Sequence, residues 1–258
     1  MPVRRLHSKR LDFPPADDAD ADGLLAIGGD LRPERLLRAY TEGIFPWFAE
    51  DGLIFWFSPD PRAVLFPEAL RVSASLARTL RSGRFEVRFD TAFAQVVRAC
   101  ASTPRRHEDG TWIDDDFVAA YVRCHELGFA HSAEAWRDGS LVGGLYGLAL
   151  GAAFFGESMF HRETDASKVA FATLVATLAP RGLQFVDCQA PVAHLARLGA
   201  TDLPRREYLE RLGRALAASA PDDPGSPFGF GPWRFPPIVP GRSRGASTPP
   251  PPPPPSTG

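Results

Sequence analysis

The stretch from Gly143 to Gln189 constrains this chain more than any other. It opens with G-G-L-Y-G-L-A-L-G-A-A-F-F-G-E-S-M-F, continues through D-A-S-K into an apolar run, and closes on F-V-D-C-Q. Ala133 to Trp136, the turn Arg137-Asp138-Gly139-Ser140 and Leu141 onward predict a hairpin, because Asp-Gly supplies the positive φ that tight turns need. Gly143, Gly144, Gly147, Gly151 and Gly156 punctuate the strands after that turn, as happens where a strand bulges or another backbone comes close. A helix and a final strand then complete an α/β (α+β) unit.

That final strand carries the polar chemistry. Strand side chains alternate faces, so Asp187 and Gln189 share one face and Cys188 takes the other. A carboxylate can accept a proton or orient a donor, and an amide can hold an attacking amine without titrating. An α-amino group, with a pKa near ~8, needs little help to react at neutral pH. By themselves the two residues equally describe a solvent-facing strand end, which is the commoner case. In the helix before them, Asp165 or Thr164 can cap the first turn, and Phe171, Leu174, Val175 and Leu178 recur at i, i+3, i+4 and i+7. Such a stripe is ordinarily core packing. Next to Asp187 and Gln189, with Leu145 and Val186, part of it can line a pocket for an apolar side chain.

Other chemistries are disfavoured. The glycines lack the strand–GxGxxG–helix order of a dinucleotide site. Gly156-Glu157-Ser158-Met159-Phe160 lacks the second glycine of a nucleophile elbow, which argues against a covalent serine mechanism. Glu157 can meet a cationic substrate group, although a partly exposed strand glutamate is more usual. Near the N-terminus, residues 22–30 read as a strand closed by a diglycine turn, and Pro33 opens a helix that Gly43 ends. The runs G-I-F-P-W-F and F-W-F-S-P-D-P-R form a stiff aromatic segment, mostly packed, with Trp47 the best placed to stack on a base.

The order D-G-L-L-A-I-G-G-D-L, G-I-F-P-W-F, W-F-S-P-D-P-R, G-T-W-I, H-E-L-G, V-G-G-L-Y-G, F-G-E-S-M-F, A-S-K, D-C-Q and L-G-A resembles the leucyl/phenylalanyl-tRNA–protein transferases over about residues 10–215. The resemblance implies a small N-terminal domain (1–62) and a GNAT-like acyltransferase domain (63–235) with a mixed twisted sheet; from Pro236 the composition turns to proline, glycine, serine and threonine, which reads as a disordered proline-rich tail (236–258). It implies transfer of Leu or Phe, and less readily Met, from aminoacyl-tRNA to proteins beginning with Lys or Arg, marking them for the bacterial N-end rule. It assigns catalysis to Asp187 and Gln189, with Glu157 in the cleft. The aminoacyl pocket falls on Leu145, Phe171, Leu174, Leu178 and Val186, and the terminal adenosine and cleft on Trp47, Trp112 and Met159. Phe57 stands where a second tryptophan is common, and Phe171, Leu174 and Leu178 redistribute the pocket's phenyl ring; such a swap roughly keeps volume and bears on donor preference more than on activity.

Bulk properties are compatible with this. The chain has 258 residues, 44% hydrophobic, enough to bury a real core. Its net charge of −2 gives no global sign of RNA binding. Arg71, Arg78, Arg81, Arg84 and Arg88, with Arg105 and Arg106, nonetheless gather around an expected helix at 73–82, and guanidinium forks suit phosphate. The 27 arginines against two lysines also fit a plain codon habit. Lys168, at the first turn of the central helix, suits a phosphate, a carboxylate or a structural ion pair. Cys100, Cys124 and Cys188 read as reduced buried thiols, and the histidines show no ligand spacing with them, so neither metal nor cofactor is expected. Residues 114–127 read as a scaffold helix. No signal-peptide core or membrane span is evident, which points to a cytoplasmic protein; a monomer is expected. A CoA-dependent acetyltransferase would need a pyrophosphate loop where Asp165-Ala166-Ser167-Lys168 stands, and a non-catalytic adaptor would leave the Asp187/Gln189 pocket unused.

Overall fold

The computed structural model describes residues 3–50, 52–102, 114–218, 233 and 235–241. Two sheets organise it. The first has the order β1-β2-β4-β3, from β1 (Arg4–Leu6), β2 (Leu24–Gly28), β3 (Phe45–Glu50) and β4 (Leu53–Phe57). Helix α1 (Pro33–Thr41) lies between β2 and β3, opened by its proline as expected. The second sheet has seven strands in the order β11-β5-β10-β9-β8-β7-β6. It comprises β5 (Arg62–Leu65), β6 (Glu86–Phe89), β7 (Ala130–Arg137), β8 (Ser140–Leu150), β9 (Ala153–His161), β10 (Phe185–Gln189) and β11 (Thr201–Leu203). All its neighbours are antiparallel except β9 and β10, which run parallel and are joined through α5 (Ala166–Leu178). A parallel pair requires such a crossover.

Helices α2 (Ala74–Arg81), α3 (Phe93–Ala101), α4 (Asp115–Glu126), α6 (Ala193–Arg197) and α7 (Arg205–Ala217) complete the fold. Ser73 and Asp114 cap α2 and α4 by accepting from Leu76 N–H and Phe117 N–H. The β7–β8 turn holds Asp138 and Gly139 at φ 49° and 77°, matching the expected hairpin. Two strand glycines have a tangible cause. A Cβ on Gly147 would lie 2.0 Å from the Phe155 carbonyl oxygen, at the bulge between β8 and β9. A Cβ on Gly143 would strike Ala166 at 2.6 Å, where α5 begins.

The seven-stranded sheet separates two cores. On one face lie Tyr121, Tyr146, Phe155 and Phe185 with Leu36, Tyr40 and Trp56, so the first sheet and α1 share this core. On the other lie Leu145, Phe154 and Val186 with α5. The chain passes from the first sheet to the second between Phe57 and Arg62.

Helix α5 departs from the single apolar stripe. Eleven of its thirteen residues are buried, all but Lys168 and Ala176, because β7 and β8 pack beneath it while α2 covers another side. Asp165 precedes it at φ 68° and makes no capping bond; its carboxylate instead takes Lys168 Nζ (2.9 Å) and Thr79 Oγ1 (3.0 Å). Lys168 is therefore in a structural ion pair. The stretch expected as tail from 236 begins docked: Ile238 exchanges two backbone hydrogen bonds with Val87 on β6. Residues 242–258 lie outside the described residues, as do Trp112, Arg105 and Arg106.

Candidate active site

Pairing between β9 and β10 runs from Ala153/Phe185 to Phe155/Asp187 and stops there. β9 continues along β8 to His161, while β10 bulges against β5 between Asp187 and Gln189. The strands part, and a cavity of about 350 Å³ opens between them. Because it sits where the sheet splits, consecutive residues of β10 line it: Val186 and Cys188 as well as Asp187 and Gln189. Trp47, Leu145, Glu157, Met159, Phe171 and Leu195 complete the part of its wall that matters for chemistry. Leu174 and Leu178 do not line it; they lie one and two turns further along α5, fully buried in the core. A helix stripe longer than one turn cannot face a cavity that meets the helix at one level.

Asp187 is fully buried and surrounded by donors. Arg62 Nε and Nη2 reach its two oxygens at 2.9 and 2.7 Å, the Tyr208 hydroxyl donates at 2.8 Å, and the Gln189 N–H at 2.8 Å. Arg62 is equally buried and lies between the rings of Phe45 and Tyr208, each centroid 4.6 Å from its guanidinium carbon. Burial opposes its charge, but the attraction of Asp187 outweighs that and raises its pKa above the ordinary arginine value. Arg62 and Tyr208 are the residues that sequence reasoning missed; Arg62 ends the W-F-S-P-D-P-R run, the one signal that pointed at it.

Gln189 adopts φ 64°, uncommon for a residue with a side chain and a form of strain that gathers at functional sites. Its Nε2 donates to Glu157 Oε1 at 2.9 Å. Glu157 is not a partly exposed strand glutamate. It is 8% exposed and also accepts from the Tyr40 and Tyr121 hydroxyls at 2.6 Å each. Burial pushes its pKa up to about 7; the two tyrosine bonds pull it down, and the Asp187 charge adds to the rise. A carboxyl group poised at neutrality, bonded to an amide and facing a mainly apolar cavity, is equipped to exchange a proton with a bound amine. Trp47 is half-buried at the wall, edge-on to Phe57 at 5.4 Å. Cys100, Cys124 and Cys188 are buried and form no disulfide, and burial raises the Cys188 thiol.

The expected phosphate-facing arginines divide into two groups. Arg71, Arg78 and Arg81 are exposed on and beside α2. Arg84 pairs with Glu163 (2.5 Å), and Arg88 with Glu86 (2.5 Å), lying over Trp136. At the far end of the sheet, Asp90, His125 and His131 could group around a metal, but the Asp90 carboxylate already accepts from His131 Nδ1 and from the Ser132 and Trp233 N–H groups.

A cavity of this construction, with a carboxyl group shifted toward neutrality and an amide at its polar end, suits group transfer to an amine. The family model for leucyl/phenylalanyl-tRNA protein transferase matches residues 64–213, and that for the N-terminal domain of the same family matches 29–60. Proteins named leucyl/phenylalanyl-tRNA–protein transferase are similar over most of their length. That of Anaeromyxobacter sp. (strain Fw109-5) is 59% identical over 216 residues, covering 84% of this chain and 92% of the relative. Those of Syntrophotalea carbinolica and Myxococcus xanthus are 57% and 54% identical, covering 83% and 84% of this chain and 93% of each relative. The chain belongs to the leucyl/phenylalanyl-tRNA protein transferase family, and so to the aminoacyltransferases.

Proposed function

We propose that this enzyme moves Leu or Phe, and less readily Met, from aminoacyl-tRNA to the α-amino group of proteins beginning with Lys or Arg, marking them for the bacterial N-end rule pathway. The observation that carries the reading is the Glu157–Gln189 hydrogen bond at the polar end of a largely apolar cavity. In the reaction, the acceptor amine attacks the ester carbonyl carbon of the charged tRNA. The new C–N bond forms, the ester C–O bond breaks, and the terminal ribose hydroxyl leaves with a proton. Glu157, with its pKa near 7, takes the proton that the ammonium group must lose. Gln189 holds the amine. Asp187 fixes Gln189 through its backbone N–H, and Arg62 and Tyr208 fix Asp187.

The donor side chain would sit against Leu145, Phe171, Val186 and Met159, and Trp47 would stack on the terminal adenine. A pocket that discriminates by shape gains only ~1–3 kcal/mol per methylene, so accepting both Leu and Phe is physically reasonable. The exposed Arg71, Arg78 and Arg81 would meet tRNA phosphates, joined by Arg84 and Arg88 when their carboxylate partners yield. The parting parallel strands support a GNAT-type acyltransferase unit from 63 onward, with residues 1–62 as an attached N-terminal domain. Among the described residues no helix is long and apolar enough to cross a membrane, and we infer a monomer acting in the cytoplasm.

Incubating the purified protein with leucyl-tRNA and an Arg-initiated peptide tests the reading. The expected product is the peptide extended by leucine, with no extension of an Asp-initiated control. Absence of any aminoacylated peptide overturns it.

A further inference from the structure

A separate cavity of about 200 Å³ lies on the small N-terminal sheet, at its edge strand β1. Arg4, Arg5, His7, Arg10, Asp12 and Phe13 are among its walls. The run from Val3 to Arg10 reads V-R-R-L-H-S-K-R, with four formal cations and no acid, and Arg4, Arg5, His7, Lys9 and Arg10 are all exposed. Arg10 shares its charge with Asp12 at 3.0 Å, whereas Arg4 and Arg5 make no ion pair among the described residues.

Arg35, on α1, adds a fixed charge beside these walls. It is fully buried, and its Nη2 donates to the carbonyl oxygens of His7 and Arg10 at 2.8 and 2.5 Å, which pins the backbone of two wall residues. Its guanidinium carbon lies 5.9 Å from the centroid of Phe13, a third wall residue. The ion pair with Asp30 is long, at 3.4 Å, and that carboxylate is shared with Arg32. Nε and Nη1 of Arg35 have no partner among the described residues. A buried cation so incompletely compensated favours an anion nearby. A preference for arginine codons accounts for exposed arginines, but not for a buried one with two idle donors.

Strand pairing sets this edge on one rung with the donor end of the sheet. Arg5 pairs with Ile27, Ile27 with Phe55, and Phe55 with Phe48, the neighbour of Trp47. Three strand spacings of ~4.8 Å separate β1 from β3, roughly 14 Å in all. About four stacked nucleotides, at ~3.4 Å each, cover that distance. We infer that the β1 cavity holds a backbone phosphate of the aminoacyl-tRNA close to its 3′ end, a contact separate from the arginines of α2. The inference rests on reading Trp47 as the platform for the terminal adenine.

The test measures binding of uncharged leucine tRNA, and of a minihelix carrying only its acceptor arm, by fluorescence anisotropy over a range of salt concentrations. Arg4→Gln/Arg5→Gln/Arg10→Gln should make the slope of log K against log salt shallower by about 0.7–0.9 for each phosphate released, equally for both RNAs. Arg98→Gln/Arg206→Gln/Arg214→Gln, which removes three exposed cations from α3 and α7, should keep the wild-type slope. An equal flattening by that control means diffuse charge and refutes the site. An effect confined to whole tRNA puts the contact away from the 3′ end and overturns the placement. If the β1 variant keeps the wild-type slope while Arg78→Gln/Arg81→Gln/Arg84→Gln flattens it, the inference fails and the tRNA reading stands. Loss of calorimetric binding of inorganic phosphate by that same variant would then mark a site for a free phosphate instead. If the wild-type protein shows no salt-dependent binding, the reading and the inference fall together.

Discussion

Arg62 grips Asp187 through two parallel hydrogen bonds of 2.9 and 2.7 Å, and both side chains are essentially removed from solvent. This pair anchors the strand end from which Gln189 reaches the cavity. Removing one partner strands a buried charge, which typically costs ~3–5 kcal/mol. Asp187→Ala should therefore lose transfer and stability together, by a denaturant midpoint well below wild type. Arg62→Ala should destabilise comparably. A double-mutant cycle should show strong coupling, because the second removal relieves the charge left by the first.

Gln189→Ala separates chemistry from folding. The side chain donates to Glu157, and removing that bond leaves the Asp187 cluster intact, because Asp187 is held through the backbone N–H of the same residue. Single-turnover transfer should fall by ~10²–10⁴ with an unfolding midpoint close to wild type. A rate within a few-fold of wild type would remove Gln189 from the mechanism.

Glu157 predicts a pH dependence. Its folded pKa, about 7, lies above an unfolded value near ~4.3, so the native state holds the proton more tightly. Its contribution to stability is fully present below the unfolded value and is lost as pH rises through about 7. Transfer should run the other way, increasing as the carboxylate forms. Glu157→Gln should abolish the inflection near neutrality in the pH–rate profile; an unchanged profile would mean that another group titrates.

The pocket wall can be distinguished from the core behind it. Phe171→Ala should cost about 3–5 kcal/mol for a ring this deeply buried, and in a folded sample should move the kcat/KM ratio toward phenylalanine over leucine. Leu174→Ala should cost about 2–5 kcal/mol and leave that ratio unchanged, since Leu174 does not reach the cavity. The same ratio measured for both variants checks the assignment.

Arg78→Gln/Arg81→Gln/Arg84→Gln should weaken tRNA binding and flatten its salt dependence. Transfer from a minimal aminoacyl-adenosine donor, which never reaches α2, should be nearly unaffected. Equal losses with both donors would point to damage at the cavity instead.

Local signals in the sequence were legible where one element sufficed to express them. The Asp138-Gly139 hairpin and the Pro33 helix start each depend on neighbours a few residues away. The sequence also put Asp187 and Gln189 on one strand end. It did not reveal that Asp187 is saturated, because Arg62 and Tyr208 come from positions 125 residues before and 21 after it. Periodicity showed Phe171, Leu174 and Leu178 on one face of α5, but it could not show that, of these three, the cavity meets only Phe171. The Tyr40–Tyr121–Glu157 cluster is likewise assembled from three separate elements. Burial of Glu157 follows from that assembly and from no feature of G-E-S-M.

Helix α5, buried at eleven of its thirteen positions, gives the proposed donor pocket a firm wall. A loop-built pocket can adjust to its guest; this one must accept each donor in the space that packing leaves. Selectivity and folding stability are thus two readings of the same contacts at Phe171. Any change that retunes which amino acid is carried must be absorbed by the interior of the protein, so new donor preferences are accessible only to variants with stability to spare.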